Sequence, residues 1–364
     1  MGKKGILERL RAGVVVGDGS FCFVLEKRGY VLGGPYTPEA VVEHPEAVRQ
    51  LHREYLRAGA DVMQTNTFYS SDDKLNHRGR EIGKTITCKD INNAASRLAC
   101  EVAAEGDALV AGSVSQVPSY KEGKDKDHCQ KEYAKQLITF TEHKVDFIIC
   151  EFFQNCEEIE WAIEESKKSG LPVAASMCIG EKGDEKGTSL GECAVRMALA
   201  GADVVGLNCM FDPKMSLVNM RVMKAALDRV GLSPFLMTQP NCFWTTGCGE
   251  QGWVECPEYP FAMETRLLNR FDVQKYAREA YDLGVRYIGG CCGFEPYHVR
   301  AIAEELAKEH GGMLPPASEK HDIKALAFSA NPYVNVRANK EYWQNIIPHS
   351  GRNQPPTYDI TKKK

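Results

Sequence analysis

Short apolar runs rich in valine and isoleucine alternate with longer amphipathic segments about eight times along the chain, and this alternation is the strongest constraint on its fold. The runs are Val14 to Gly17, Val62 to Thr65, Ala108 to Val114, Val145 to Glu151, Val173 to Met177, Val204 to Asn208, Phe235 to Pro240 and Arg286 to Gly290. Helical spacing of apolar residues follows each one, as in Pro45 to Ala58, where Ala47, Val48, Leu51, Tyr55 and Leu56 share a face and Pro45 suits a first turn. Similar stretches are Asp90 to Ala103, Gln130 to Glu142, Glu157 to Lys168, Glu192 to Ala200, Met215 to Val230, Val273 to Leu283 and Tyr297 to Ala307. Three helices run into related phrases, Gly59-Ala60-Asp61-Val62, Gly201-Ala202-Asp203-Val204 and Gly284-Val285-Arg286, where a glycine ends the helix left-handed and a strand begins. Eight such units predict an α/β chain folded as a closed (β/α)₈ TIM barrel over residues 1–314. An open doubly wound sheet is disfavoured, because no Gly-x-Gly-x-x-Gly follows the first strand. From 315 to 364 the periodicity fades into Asn, Pro and basic residues around Glu341-Tyr342-Trp343, which predicts a C-terminal arm packed on another subunit.

Composition narrows the function classes. The 364 residues, 43% of them apolar, can bury a sizeable core. With 45 Lys and Arg against 49 Asp and Glu, the net charge of −4 gives no pull toward nucleic acid or an anionic membrane. The basic end Lys362-Lys363-Lys364 reads as a frayed terminus. The N-terminus is charged within a few residues and no apolar run has the length of a membrane span, so a cytoplasmic protein is expected. Fourteen cysteines scattered over such a chain read as mostly buried free thiols, Cys100, Cys178 and Cys193 among them. Cys242, Cys248 and Cys256 share one loop-like stretch, but their irregular spacing, with no histidine, does not favour a metal site there.

In a parallel barrel the active site forms at the carboxyl ends of the strands, so residues at those ends are the ones to collect. They are Asp18, Phe68 with Tyr69, Glu151 with Phe152, Asn208 with Cys209, and Cys291 with Cys292. The doublet lies in Gly289-Gly290-Cys291-Cys292-Gly293, and strands six and eight are near enough for Cys209 to share a metal with it. Three thiolates around Zn²⁺, with no fourth Cys or His in evidence, leave one position for substrate. The competing reading is three ordinary buried thiols, yet adjacent cysteines between glycines are a poor use of core space. Such a centre suits an incoming thiol, whose pKa falls on binding while it stays nucleophilic. Its natural electrophile is an alkyl group on a cationic atom, which aromatic faces hold, and Tyr36, Phe68, Tyr69 and Phe152 fall on the expected active face. Asp18 and Glu151 would hold the ammonium of an amino-acid thiol.

Gly5-Ile6-Leu7-Glu8-Arg9-Leu10, Gly17-Asp18-Gly19, Leu25-Glu26-Lys27-Arg28-Gly29-Tyr30, Gly206-Leu207-Asn208-Cys209 and the run from Gln274 through Gly289-Gly290-Cys291-Cys292-Gly293 to His298 carry a resemblance. Over residues 5 to 345 the chain resembles the zinc-dependent homocysteine S-methyltransferases, and within them the betaine-using branch. The resemblance implies one Zn²⁺ per subunit on Cys209, Cys291 and Cys292, with Tyr69 in the fourth position when substrate is absent. It implies L-homocysteine held by Asp18, Gly19 and Glu151, and a methyl donor held by Tyr36, Phe68, Tyr69 and Phe152. The implied reaction moves a methyl group from betaine to the zinc-bound homocysteine thiolate, giving L-methionine and dimethylglycine, in a homo-oligomer, dimer or tetramer, joined through the arm. Three donor-side positions depart from the betaine branch: Tyr36 replaces a tryptophan, Phe152 a tyrosine and Asn66 a phenylalanine. S-methylmethionine is the alternative donor, and a catalytically silent oligomeric barrel is the alternative of another class.

Overall fold

A computed structural model describes residues 3–31, 38–76 and 85–315. Its eight strands are β1 (Val15–Val16), β2 (Val62–Gln64), β3 (Leu109–Ser115), β4 (Phe147–Phe153), β5 (Val173–Met177), β6 (Val204–Cys209), β7 (Phe235–Pro240) and β8 (Tyr287–Ile288). All neighbouring pairs are parallel, in the order β1-β8-β7-β6-β5-β4-β3-β2. The two ends of that order meet through one backbone bond and two bonds to carboxylate side chains. The Asp61 amide donates to the Val16 carbonyl (2.8 Å) and the Val16 amide to Asp61 Oδ2 (2.7 Å). At the other end of the seam the Gln64 amide donates to Asp18 Oδ2 (3.0 Å). The expected (β/α)₈ barrel is therefore closed.

The Asp61 clasp recurs at alternate strands. Asp146 donates its amide to the Val110 carbonyl and accepts the Val110 amide on Oδ2 (2.8 and 2.7 Å), and Asp203 does the same with Val173 (2.8 and 2.9 Å). At the fourth equivalent place only the backbone half remains, from the Arg286 amide to the Leu236 carbonyl (3.0 Å).

Strand alternation sorts the interior into layers. Val15, Val62, Leu109, Phe147, Ala174, Val204, Met237 and Tyr287 fill the barrel, and Ile6 and Leu10 of the helix Ile6–Ala12 pack against them. Two residues further along β2, β5 and β7, and four further along β3, β4 and β6, the inward positions turn polar: Gln64, Ser176 and Gln239, then Ser113, Glu151 and Asn208. That change from an apolar to a polar layer sets where the site floor lies. The outer helices bury their apolar stripes against the outer strand face in one continuous core.

The helices begin earlier than apolar periodicity predicts, because polar caps set their starts. Thr87, Asp125, Ser189, Asp212 and Asn269 each accept an amide of the first turn, so the helices run Cys88–Ala103, Lys126–Glu142, Leu190–Leu199, Pro213–Arg229 and Arg270–Leu283. Each such cap contributes about 1 kcal/mol. Gly59, Gly201 and Gly284 have φ of 99°, 106° and 103°, the left-handed turn expected of them. Among the described residues no helix is long and apolar enough to cross a membrane. Residues 316–364, the proposed arm, lie outside the described residues, as does Tyr36.

Candidate metal centre

Cys209 is the last residue of β6, and Cys291 and Cys292 follow β8 across the intervening end of β7. The doublet is anchored at both residues: the Cys291 amide donates to the Pro240 carbonyl and the Cys292 carbonyl accepts the Cys242 amide, both at 2.8 Å. Gly290 has to be glycine, since a Cβ there would lie 2.0 Å from the Phe294 ring. The three Sγ atoms all lie within 4.8 Å of one another, with Cys209 to Cys292 at 3.5 Å and Cys291 to Cys292 at 3.8 Å. A tetrahedron with metal–sulfur bonds of ~2.3 Å has edges of about 3.8 Å, so the donor set fits zinc. Among the described residues no fourth His, Cys, Asp or Glu joins the group.

The charges make the same point. Hydrogen bonds from the other two thiols lower Cys209 to about 6, while Cys209 pushes both Cys291 and Cys292 well up. One thiolate forms readily and opposes the next, so three ionise together only around a cation.

Above the thiols opens a cavity of about 560 Å³, inside the usual range for small-molecule sites. Its buried carboxyl groups are Asp18 and Glu151, 2% and 8% exposed, while Glu122 lines it as an exposed residue. Glu151 Oε1 accepts from Gln64 Nε2 and from Ser113 Oγ, each at 2.6 Å. Burial, then the nearby Cys291 charge, raises Glu151 to about 7 despite those bonds. Burial also raises Asp18 well above the ordinary carboxyl value, against the bond from the Gln64 amide. Two buried carboxyl groups that resist ionisation form a receptor for a cation.

One wall is aromatic. Phe68 and Tyr69 have ring centroids 4.0 Å apart, and Phe152 stands edge-on to both at 5.1 and 6.1 Å. The Tyr69 hydroxyl accepts from Gln116 Nε2 (2.8 Å), and Lys74 Nζ lies 4.1 Å from the Tyr69 ring centre. Tyr69, Phe152, Cys209 and Met210 all take positive φ, between 49° and 62°, at the mouths of β2, β4 and β6. Each such residue costs about 1–3 kcal/mol, and their concentration here is the mark of a functional mouth.

The structure thus gathers Asp18, Gly19, Phe68, Tyr69, Glu151, Phe152, Cys209, Cys291 and Cys292 into one cavity. It adds residues that sequence reasoning missed: Gln64, Gln116, Trp253 and Tyr259. Gln64 ends β2 and was findable by the strand-end rule. Gln116, one residue past β3, was findable in the same way, whereas Trp253 and Tyr259 come from a loop whose return over the barrel mouth has no local signature.

A family profile described as homocysteine S-methyltransferase matches residues 15–306. Betaine–homocysteine S-methyltransferase 1 of Mus musculus is 56% identical over 99% of this chain and 90% of its own length. S-methylmethionine–homocysteine S-methyltransferase of Pongo abelii is 55% identical over 96% of this chain and 94% of its own. Among solved structures, the homocysteine methyltransferase of Escherichia coli in its metallated form superposes with a TM-score of 0.62 at 21% identity, covering 81% of this chain and 98% of the other, which supports the fold.

Proposed function

Since the chain belongs to the homocysteine S-methyltransferase family, we infer that it moves a methyl group from betaine to the sulfur of L-homocysteine, giving L-methionine and dimethylglycine. The observation that carries this reading is the three-thiol group at the ends of β6 and β8, spaced for a tetrahedral metal and facing a cavity with an aromatic wall and two buried carboxyl groups. Cys209, Cys291 and Cys292 would hold one Zn²⁺, with Tyr69 as the proposed fourth ligand of the substrate-free enzyme. Bound there, the metal supplies the positive charge that keeps an incoming thiol ionised at neutral pH.

The chain's own residues do the rest. Asp18 and Glu151, beside Gly19, receive the homocysteine ammonium, whose charge offsets the strain of ionising two buried carboxyl groups. Phe68, Tyr69 and Phe152, together with Tyr36, hold the trimethylammonium of betaine by their ring faces. The S–C bond forms as the N–C bond breaks, and the electron pair stays on nitrogen as neutral dimethylglycine amine. Thiolate and ammonium charges cancel, so no proton is needed at the leaving group, and catalysis is alignment of sulfur, carbon and nitrogen. The three intact thiols weigh against a silent barrel. A cytoplasmic location is part of the reading, supported by fourteen cysteines that are all free thiols.

S-methylmethionine is the second reading, because the Pongo abelii relative is almost as similar and Phe152 lacks a hydroxyl that could meet betaine's carboxylate. The test is metal content and initial rates on purified protein. We expect one zinc per subunit, lost together with turnover in Cys291→Ala, and faster turnover with betaine than with S-methylmethionine at equal concentration. A preference for the sulfonium would overturn the donor and leave the metal standing. Full activity in Cys291→Ala would overturn both.

A further inference from the structure

Between β7 and the helix Arg270–Leu283 the chain runs along the cavity rim, where Trp253, Val254 and Tyr259 line the cavity and the Trp253 amide donates to the Met210 carbonyl (2.9 Å). In this segment Cys248 and Cys256 pack into one cluster with Trp253 and Tyr259, near enough for each thiol to shift the other's ionisation. Beside them stands Arg266, only 1% exposed. Its Nε donates to Glu258 Oε2 (2.5 Å), and its Nη1 donates to the Trp244 carbonyl (3.0 Å) and to Cys248 Sγ (3.3 Å). A carboxylate and a carbonyl thus fix a buried guanidinium with an N–H aimed at one sulfur.

That arrangement separates the two thiols. Cys248 is half-buried and within reach of small solutes, whereas Cys256 is 4% exposed. The neighbouring Cys256 thiol, and then the Arg266 charge, lower Cys248, while the Cys248 thiol and burial raise Cys256. Thiolate character next to a cation is the condition for reactivity toward oxidants. The Arg266 guanidinium already supplies a positive charge beside Cys248.

We propose that Cys248 is a hydroperoxide-reactive thiol and Cys256 its resolving partner, closing a reversible disulfide in the rim segment. The Cys248 thiolate attacks the terminal oxygen of a hydroperoxide, the O–O bond breaks, and sulfur passes two electrons to oxygen, giving a sulfenic acid and an alcohol, or water from hydrogen peroxide. The Cys256 sulfur then attacks Cys248 Sγ, the S–O bond breaks, and the departing hydroxide takes the Cys256 proton as water. Net, two thiols and one hydroperoxide give one disulfide, one water and one alcohol or second water, and a dithiol reductant reverses it.

The test treats full-length, zinc-loaded protein with a few equivalents of hydrogen peroxide, digests it under non-reducing conditions with a glutamyl endopeptidase, and weighs the peptides. Glu250 and Glu255 lie between the two cysteines, so the disulfide appears as two joined peptides that separate on reduction with dithiothreitol. We expect that link with zinc content unchanged. We also expect Cys256→Ser to accumulate a sulfenic acid at Cys248, trapped by dimedone, at least tenfold faster than Cys248→Ser accumulates one at Cys256. Oxidation confined to Cys209, Cys291 and Cys292 with zinc release, while Cys248 and Cys256 remain alkylatable, would overturn the proposal. So would equal trapping in the two variants.

Discussion

Glu151 shows how one inward strand position is turned into a binding group. Alternation along β4 points Phe147, Ile149 and Glu151 into the barrel, and the third of these reaches the polar layer. There its carboxyl is held by two donors yet sits near neutrality, at about 7, because burial outweighs them. The sign follows directly. A carboxyl raised in the folded state adds stability below its unfolded value, and that stability is lost as pH rises through about 7. The ligand-free enzyme should therefore lose stability over that window, and homocysteine should raise the melting temperature more at pH 8 than at pH 6. The KM for homocysteine should fall as pH rises through about 7, because the anionic carboxylate binds the ammonium. Glu151→Gln should raise that KM about tenfold to a hundredfold, the effect of losing a charged hydrogen bond of about 1.5–3 kcal/mol, and should lose this step in the pH profile. An unchanged profile in the variant would remove Glu151 from the ammonium site. At this scale the sequence was readable for the three cysteines, Asp18 and Glu151, because each lies at or just past the carboxyl end of a strand. Gln116, one residue past β3, obeyed the same rule and was passed over, whereas Trp253 was not readable, since only the closed barrel brings its loop to the mouth.

At the scale of elements the barrel repeats itself every second strand, and one member of the repeat is disguised. Gly59-Ala60-Asp61 and Gly201-Ala202-Asp203 read plainly as helix stop and strand clasp. Lys144-Val145-Asp146 does not, yet Lys144 has φ 56° and Asp146 makes the same paired bonds. A lysine stands where its counterparts are glycine, so the pattern was hidden by one residue. A left-handed non-glycine costs about 1–2 kcal/mol, so Lys144→Gly should stabilise the protein by up to that amount in urea denaturation. Any destabilisation would show that the lysine side chain contributes more than its backbone costs. The clasps themselves should matter more. Asp203→Ala leaves the Val173 amide without its acceptor and should cost about 1–3 kcal/mol, with part recovered in Asp203→Asn. Asp61→Ala should cost more, since its side chain is 9% exposed and also meets His310 Nε2 at 2.9 Å. That bond raises His310, so the stability it adds is full below about 6.5 and lost as pH climbs through the raised value. The Asp61→Ala loss should accordingly be larger at pH 6 than at pH 9. Helix starts were misplaced by the sequence for a related reason: the Asp125 and Asp212 caps begin their helices four and two residues before apolar periodicity is visible.

The whole molecule raises the question of what the barrel needs beyond itself. Strands, clasps and thiol centre are complete between Ile6 and Glu305, and the seam between β1 and β2 is closed within that span. Past the last helix, Pro296–Glu305, the chain reaches Met313 and Leu314, which are 61% and 56% exposed. They border a second cavity, of about 460 Å³, at the amino ends of the strands, opposite the thiols. Two large apolar side chains in water, followed by residues without the βα pattern, support assigning 315–364 to contacts between subunits. If the arm joins subunits and the barrel carries the chemistry, the two separate cleanly. A chain ending at Pro315 should give fewer subunits per particle by light scattering than the full-length protein. Its far-UV circular dichroism should keep the barrel signature, and it should still bind one zinc per subunit, because no thiol of the centre lies beyond Cys292. An unchanged particle mass would place the subunit contact on the barrel itself. Loss of zinc with the fold intact would mean that the arm braces the β8 end from outside, a role that nothing in its composition announces.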